Sequence, residues 1–263
     1  MDSVCLIVVA HRASDRYPLI IAANRDEDYD RPTLAAHFWE DAPGILGGRD
    51  ALHGGSWLAI SRAGRVGAVT NLRGAAKPDG RSRGFLVRDF VTSGAAPRDY
   101  AEDVERHKGE YAGFHLIAGD AGGAFVHLAD RVREWTPGVH GVSNGPADAR
   151  WEKIDRAVDH VRSALSIADP LDLAHDLIAF LGVANSDEIE RTVFVASDRY
   201  GTRSSTAIVV GRTGMPAGQT GMPAGQTGMS GPHEVVFVEQ SYARGGVRSG
   251  EPGVFRFTRS PSR

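Results

Sequence analysis

The chain has one cysteine, Cys5, at the start of an apolar stretch, and a polar run, Asn24-Arg25-Asp26-Glu27, at the end of the next. If the two stretches form an antiparallel hairpin centred between residues 14 and 15, paired positions sum to 29 and Cys5 faces Asn24. Opposed side chains would then lie about 4.5 to 5.5 Å apart at Cβ. The neighbouring Arg25 would favour the thiolate, and Asp26 or Glu27 could hold that arginine or an amine in place. The pattern predicts a nucleophilic thiol, although a lone cysteine in an apolar strand is also common as buried filler.

The elements that must position these residues are short strands and amphipathic helices. Strand-like runs are predicted at residues 5–10, 18–23, 57–61, 66–71, 114–118, 124–128, 193–196, 207–210 and 235–239. Helical periodicity is found at residues 85–91, 100–107, 151–165 and 170–181. Strands and helices occur in blocks rather than in strict alternation, which favours an α+β fold with helices layered on largely antiparallel sheets.

Length and composition exclude several classes of protein. The 263 residues are expected to form one domain over residues 1–263, with 41% hydrophobic residues and no apolar run near the roughly 20 residues needed to span a membrane. The acidic start, Met1-Asp2-Ser3-Val4, lacks the positive region of a secretory signal, so a cytoplasmic location is expected. A net charge of -3, with scattered basic residues, argues against a nucleic-acid partner.

One segment is of low complexity. Residues 213–219 are repeated as residues 220–226, and a third copy begins at Thr227, so that the segment spans residues 213–231. Its glycine and proline content prevents it from burying a face. Because it lies between two strand-like runs, we expect an expanded hairpin loop without a function of its own.

Other binding motifs are absent from the sequence or incomplete. A single cysteine excludes an internal disulfide and any multi-cysteine metal site, and no His-Glu-x-x-His occurs, so no metal site is expected. The glycine-rich stretch from Gly44 to Gly55 lacks the Gly-Lys-Ser/Thr of a phosphate loop. We expect it to serve close backbone packing or the approach of a ligand.

A series of short motifs fills the first 75 residues and continues beyond them. They are Cys5 before a strand, Pro18 to Glu27, Arg31-Pro32, Gly47 to Asp50, Gly54 to Leu58, Thr70-Asn71, Ser143 to Pro146, and Tyr200 to Thr206. Together they resemble the NRDE family, also called the transport and Golgi organisation 2-like family. The first of these motifs are highly specific.

The same order is similar, at the level of the fold, to the bile-salt hydrolase and penicillin V acylase group of N-terminal-nucleophile amidohydrolases. This similarity implies a layered αββα sandwich and a small linear amide as substrate, without a cofactor. The implied roles are Cys5 as nucleophile, Arg25 and Asp26 holding the thiol and amine, Asn71 and Asn144 stabilising the oxyanion, Arg203 completing the polar site, and Asn24 and Trp57 contacting the substrate. A free α-amine can be the base for a thiol of the same residue, and asparagine amides are neutral donors to an oxyanion.

One feature departs from the family pattern. The family typically begins Met-Cys, whereas four residues precede Cys5 in this chain. A GTG codon encodes valine internally and methionine at a start, so Val4 could be the initiator. Otherwise a four-residue cleavage is needed, or the site is inactive.

A binding protein is the alternative. Members of the family have been linked to haem trafficking and to lipid or acyl-CoA homeostasis, which implies a carrier of a small molecule. For haem, an axial histidine or cysteine is the expected ligand, and Cys5, His11 and His53 are the nearest candidates along the chain. Spacing favours none of them, and the sequence does not predict an oligomeric state.

Overall fold

Two antiparallel sheets lie face to face, and a pair of helices covers the outer face of each. The structure, a computed structural model, describes residues 5–75, 77–120, 123–186, 188, 190–213 and 233–259. The strands in these residues are β1 (Leu6–His11), β2 (Leu19–Asp28), β3 (Thr33–Trp39), β4 (Ala42–Asp50), β5 (Leu58–Ser61), β6 (Val66–Asn71), β7 (Phe114–Gly119), β8 (Phe125–Leu128), β9 (Val132–Glu134), β10 (Gly138–Val142), β11 (Tyr200–Arg212), β12 (His233–Ala243), β13 (Val247–Arg248) and β14 (Gly253–Thr258). The helices are α1 (Gly84–Thr92), α2 (Pro97–His107), α3 (Glu152–Ala164) and α4 (Pro170–Leu181). The expected α+β αββα sandwich is confirmed.

The two sheets are built from different parts of the chain. The first sheet has the strand order β10-β1-β2-β11-β12, and β13 and β14 both pair with β12. The second runs in sequence order from β3 to β9. The first sheet therefore joins the start of the chain to its end, which brings β2 beside β11 across more than 170 residues.

Three apolar layers hold these elements together. One lies between the sheets, one packs the first sheet against α3 and α4, and one packs the second sheet against α1 and α2. In β1, Ile7 faces the second sheet whereas Leu6 and Val8 face the helices. Because both faces of the strand are buried, its sequence is continuously apolar instead of alternating.

Local sequence explains the helices. In α3, Ala157, Val161 and Ala164 recur at helical spacing and are buried. α4 starts with Pro170 at its first position, and the preceding Asp169 side chain accepts hydrogen bonds from the backbone N–H groups of Leu171 and Asp172. All four helices lie close to their predicted positions.

The strand prediction at residues 193–196 is wrong. Val193 and Phe194 are buried, but only Ala196 makes a β-bridge, with Gly201. The backbone here is satisfied by side chains, because Val193 O accepts from Asn24 and Val195 N–H donates to Thr202 Oγ1.

The repeated segment at residues 213–231 lies, from residue 214 onward, outside the described residues. The strands that flank it do pair as the prediction requires. β11 and β12 are antiparallel, and Arg212 lies opposite His233 at the end of the described ladder.

Candidate active site

Cys5 directly precedes β1 and contacts the polar end of β2. Its Sγ accepts a hydrogen bond from the Asp26 backbone N–H at 3.4 Å and lies 3.6 Å from Asp26 O. The expected closeness of Cys5 to this polar run is therefore confirmed. The thiol is buried, with a relative exposure of 9%.

The predicted register is wrong by one residue. β1 and β2 pair as Leu6 with Asn24 and Ile7 with Ala23, so that paired positions sum to 30. The loop between the strands is closed by the Arg12 N–H group, which donates to Pro18 O, so that an odd number of residues lies between these two. Arg12 itself has a positive φ of 50°. A shift of one residue reverses the face of every side chain. Cys5 is consequently on the side of Arg25 and not of Asn24.

Asn24 faces the helices, away from the second sheet. Its Nδ2 donates to Leu181 O at 2.9 Å and to Val193 O at 2.8 Å, and its Oδ1 accepts from Ser205 Oγ. The expected contact of Asn24 with substrate is corrected, because these bonds to the protein occupy the buried amide and make it a structural link between β2, β11 and α4.

Cys5 lies in a cavity of about 270 Å³. Of the residues expected in the site, Cys5, Arg25, Asp26, Trp57 and Asn71 line it. The Arg25 guanidinium stacks on the Trp57 ring at 4.3 Å from its centroid. Trp57 is thus positioned both to hold the arginine and to contact a bound molecule.

The charged side chains that line this cavity form a chain of neighbouring cations and anions. Burial lowers the pKa of Arg25, while Glu27 at 3.6 Å and the charge of an ionised Cys5 oppose that shift. Glu27 also lies 3.7 Å from Arg31, which pairs with Asp50 at 2.8 Å. Glu27 therefore holds Arg25 beside the thiol, and Arg31 holds Glu27.

Asp26 is a buried carboxyl on the opposite face of β2. Burial raises its pKa to about 6, against the hydrogen bond that Thr202 Oγ1 donates at 2.6 Å and the attraction of Lys153. Lys153 is fully buried, and burial lowers its pKa to about 8, against the attraction of Asp26 and Cys5. The carboxyl and the amine thus stabilise each other's charges near Cys5.

Sequence reasoning missed Lys153. It is one of three lysines in the chain, and it precedes the buried residues Ala157 and Val161 at intervals of four in α3. A lysine in line with a buried helical stripe is the signal that was available, because lysine is rarely buried without an acidic partner.

Asn71 and Asn144 are neighbours, although 73 residues separate them. Asn144 Nδ2 donates to Asn71 O at 2.6 Å, and the adjacent Ser143 Oγ donates to Cys5 O at 2.7 Å. These bonds tie the ends of β6 and β10 to Cys5. Asn71 lines the cavity, whereas Asn144 is fully buried behind it.

Arg203 lies behind the cavity and does not line it. Its Nη1 donates to the backbone carbonyls of Asp28, Tyr29 and Arg31 at 2.9 to 3.1 Å. It therefore fixes the turn after β2, which carries Arg31 and follows directly on Glu27 and Asp28.

A second cavity of about 720 Å³ adjoins the first. Arg83, at the start of α1, lines both cavities and was also missed by sequence reasoning. Its Nη1 donates to Gly113 O at 3.1 Å, and burial lowers its pKa.

Comparison with known proteins identifies the family. The family model "Transport and Golgi organisation 2" matches residues 4–217. The chain belongs to this family. Its NRDE motif is the polar run at the end of β2, and its motif at residues 54–58 supplies Trp57.

Relatives in the transport and Golgi organisation 2 family extend over most of the chain. The Mus musculus protein named transport and Golgi organization 2 homolog is 32% identical over 235 residues, covering 77% of this chain and 85% of its own. The Homo sapiens homolog is 31% identical with the same coverage. The Drosophila melanogaster family member is 37% identical over 118 residues, which are 41% of this chain and 42% of its own.

Two solved structures are similar at low sequence identity. An N-acylethanolamine-hydrolyzing acid amidase ortholog from Caenorhabditis elegans has a TM-score of 0.46 at 13% identity, covering 78% of this chain and 92% of its own. A mutant conjugated bile acid hydrolase from Clostridium perfringens has a TM-score of 0.43 at 9% identity, covering 96% of this chain and 92% of its own. The roles of residues in this chain therefore rest on its own geometry.

Proposed function

We propose that this protein is a cysteine amidohydrolase that cleaves the C–N bond of a small linear amide. One observation carries the proposal: the only thiol of the chain lines a charged cavity, hydrogen-bonded to the Asp26 N–H and beside the Arg25 guanidinium. A thiolate is the nucleophilic form of cysteine, and positive charge nearby favours it.

The reaction begins with attack of the Cys5 thiolate on the amide carbonyl carbon. Negative charge develops on the carbonyl oxygen, and the amide of Asn71, a residue of the cavity wall, is the proposed neutral donor to it. The C–N bond then breaks, the leaving amine takes the proton that the α-amine of Cys5 had accepted from the thiol, and a thioester to Cys5 remains. Water hydrolyses the thioester, which releases the acid and restores the thiol.

The base in this scheme is the α-amine of Cys5, freed by removal of residues 1–4. An α-amine has a pKa of about 7.7 to 8.0, which suits proton transfer near neutral pH. Asp26, whose backbone N–H contacts the sulfur, is the proposed carboxyl that orients this amine.

The thiol of a chain beginning at Cys5 should react faster than that of the chain beginning at Met1. Freeing the amine adds an internal base and, when it is protonated, a positive charge beside the sulfur. The measurement is the rate of iodoacetamide labelling against pH for both chains. Arg25→Ala in each chain separates the effect of the guanidinium from that of the amine.

Equal rates in the two chains at every pH would contradict the N-terminal-nucleophile mechanism. Mass spectrometry of the protein from its native cell supplies the matching observation, because the mechanism requires a form that begins at Cys5.

The alternative proposal is a carrier of haem, lipid or acyl-CoA. For haem, none of the three candidate axial ligands is well placed. His11 Nε2 lies 2.9 Å from Thr136 O and is not part of the cavity wall. Cys5 and His53 line the cavity together, but its walls are charged and its volume is about 270 Å³. The charged walls of this cavity are a poor match for a large, mostly apolar macrocycle. A saturable Soret shift on titration with haem would contradict that conclusion.

We also propose that the protein acts in the cytoplasm. In the described residues no helix is long and apolar enough to cross a membrane. Fractionation of native cells, followed by detection of the protein in the soluble or membrane fraction, tests the location.

A further inference from the structure

The two cavities adjoin near Cys5. They share Glu27, Asn71, Lys77, Pro78, Arg83 and Ala112 as lining residues. The larger cavity therefore begins at the side chains that also border the cavity of Cys5. The side chains of that cavity then contact whatever the amide carries beyond its reacting bond.

The acidic side chains in these walls already have cationic partners. Glu27 lies near Arg25 and Arg31, and Asp28 pairs with Arg199 at 3.0 Å. These carboxylates therefore add little net negative potential to the cavity.

Arg83 differs from the other cavity arginines. In the part of the chain that the structure describes, no carboxylate lies within 4.0 Å of its guanidinium, and its one hydrogen bond goes to a neutral carbonyl, Gly113 O. The side chain is half-buried, so water screens it only in part. Lys77, in the same shared wall, likewise donates to a neutral carbonyl, Gly109 O.

A half-buried guanidinium without an acidic neighbour attracts an anionic ligand. A carboxylate offers two oxygens that match two of its N–H groups, and such charge-assisted pairs are stronger than neutral hydrogen bonds. The shared wall contains two cations, Arg83 and Lys77, and one carboxylate, Glu27, which already lies near Arg25 and Arg31. The wall therefore has an excess of positive charge that an anionic substrate can offset.

We propose that Arg83 binds a carboxylate on the substrate and so makes the protein selective for amides that carry an acidic group, such as N-acyl amino acids. Arg83 is then a specificity-determining residue, with Lys77 as a second, exposed cation beside the same group. This inference rests on the proposed amidohydrolase function for its reaction, but the binding preference can be measured separately.

The test uses binding to the Cys5→Ala chain, which cannot form a thioester. N-octanoylglycine and N-octanoylethanolamine are matched ligands, because they share the acyl chain and the amide and differ in a carboxylate against a hydroxymethyl group. N-butyladipamic acid places the carboxylate on the acyl side instead. Isothermal titration calorimetry should show at least one of the two acids binding about tenfold more tightly than the ethanolamide.

Substitution of Arg83 should remove that preference. Arg83→Met should weaken binding of the preferred acid about tenfold and that of the ethanolamide less than twofold. Arg83→Lys should retain part of the preference, because it keeps the charge but not the paired geometry. Arg88→Gln is the control, since Arg88 lies on the same helix, pairs with Asp89 and lines neither cavity.

Three outcomes would overturn the inference: neither acid preferred over the ethanolamide, equal weakening of both ligand types by Arg83→Met, or the same loss with Arg88→Gln. If Arg83→Met does not fold, as judged by circular dichroism, Arg83→Lys carries the comparison. Failure of the amidohydrolase mechanism would give a different result. The Cys5→Ala chain would still bind the acid more tightly than the ethanolamide, but the chain that retains Cys5 would never cleave the acid.

Discussion

At the scale of single residues, the site depends on charges that burial would otherwise disfavour. Asp26 and Lys153 are both inside the protein, and burial shifts the pKa of each toward its neutral form. Their mutual attraction opposes both shifts. A buried pair of this kind need not add stability, but removal of one partner leaves the other charge poorly compensated.

Lys153→Met should therefore lower the free energy of unfolding by about 3 kcal/mol at pH 7, where Asp26 is mostly ionised and Lys153 is mostly protonated. The double variant Lys153→Met, Asp26→Asn should lose less than the sum of the single variants, because it leaves no isolated charge. Urea unfolding of the wild type, the two single variants and the double variant measures the coupling free energy between Lys153 and Asp26. Lys108→Met, at an exposed position, should change stability by less than about 0.5 kcal/mol.

Strictly additive losses in that cycle would mean that the two buried groups do not interact. At pH 5 the cost of Lys153→Met should be smaller than at pH 7. With its pKa at about 6, Asp26 is mostly protonated at pH 5, and a neutral carboxyl needs no cation.

At the scale of elements, close packing of β4 on β5 sets the wall that carries Trp57. A Cβ on Gly47 would lie 2.5 Å from Leu58 O, whereas a Cβ on Gly44 of the same strand would meet nothing within 4 Å. Gly47→Ala should thus destabilise the protein by about 2 kcal/mol, because the strands must separate. Gly44→Ala should be neutral or slightly stabilising.

Thermal unfolding of the two glycine variants is the measurement. Gly47→Ala should also lower the rate of iodoacetamide labelling relative to Gly44→Ala, because β5 begins directly after Trp57, the ring on which Arg25 stacks. Equal melting temperatures for the two variants would show that this contact is not tight in solution.

The same elements show what the sequence predicts and what it leaves open. Continuous apolar runs predicted β1 and β2, because both faces of these strands are buried. Helical periodicity predicted the four helices, because one stripe of each helix is buried. The hairpin register was missed, because the left-handed Arg12 that sets the loop length has no distinctive sequence signal. β4 was missed because Gly44, Gly47 and Gly48 suggest a loop, although they permit close strand contact.

The site itself was predicted unevenly for a related reason. Cys5, Arg25, Asp26, Trp57 and Asn71 were predicted from local motifs and the family resemblance, and all line the first cavity. Arg83 and Lys153 come from helices that pack on opposite sheets, so their approach to Cys5 depends on tertiary structure that no local pattern encodes.

At the scale of the whole molecule, the packing of the two sheets assembles the site. Cys5 and Arg25 belong to the first sheet, whereas Asn71 ends β6 and Trp57 directly precedes β5, which are inner strands of the second sheet. The bond from Asn144 to Asn71 O links the two sheets, and the adjacent Ser143 donates to Cys5 O. The proposed activity should thus be lost as soon as the sheets separate, even if each keeps its strands.

A group of buried histidines makes the folded state sensitive to acid. His115 Nδ1 and His127 Nε2 lie 2.9 Å apart in adjacent strands of the second sheet, and His115 Nε2 lies 2.7 Å from Gly145 O. Burial lowers the pKa of both residues, that of His127 to about 3, aided by repulsion from His115 and Arg133 and opposed by Asp130. The pair is therefore neutral in the folded protein near neutral pH.

Stability should decrease as the pH falls from about 6.5 toward 3, because the unfolded chain takes up protons on these histidines while the folded chain does not. The slope should be at most about 1.4 kcal/mol per pH unit for each proton taken up. His127→Gln keeps a hydrogen-bonding side chain without a titrating ring, so its unfolding free energy should fall less steeply than that of the wild type over this range. Urea unfolding from pH 7 to pH 4 measures both slopes, and His107→Gln, at an exposed histidine, should reproduce the wild-type slope. Parallel curves for wild type and His127→Gln would mean that His127 is already protonated in the folded protein.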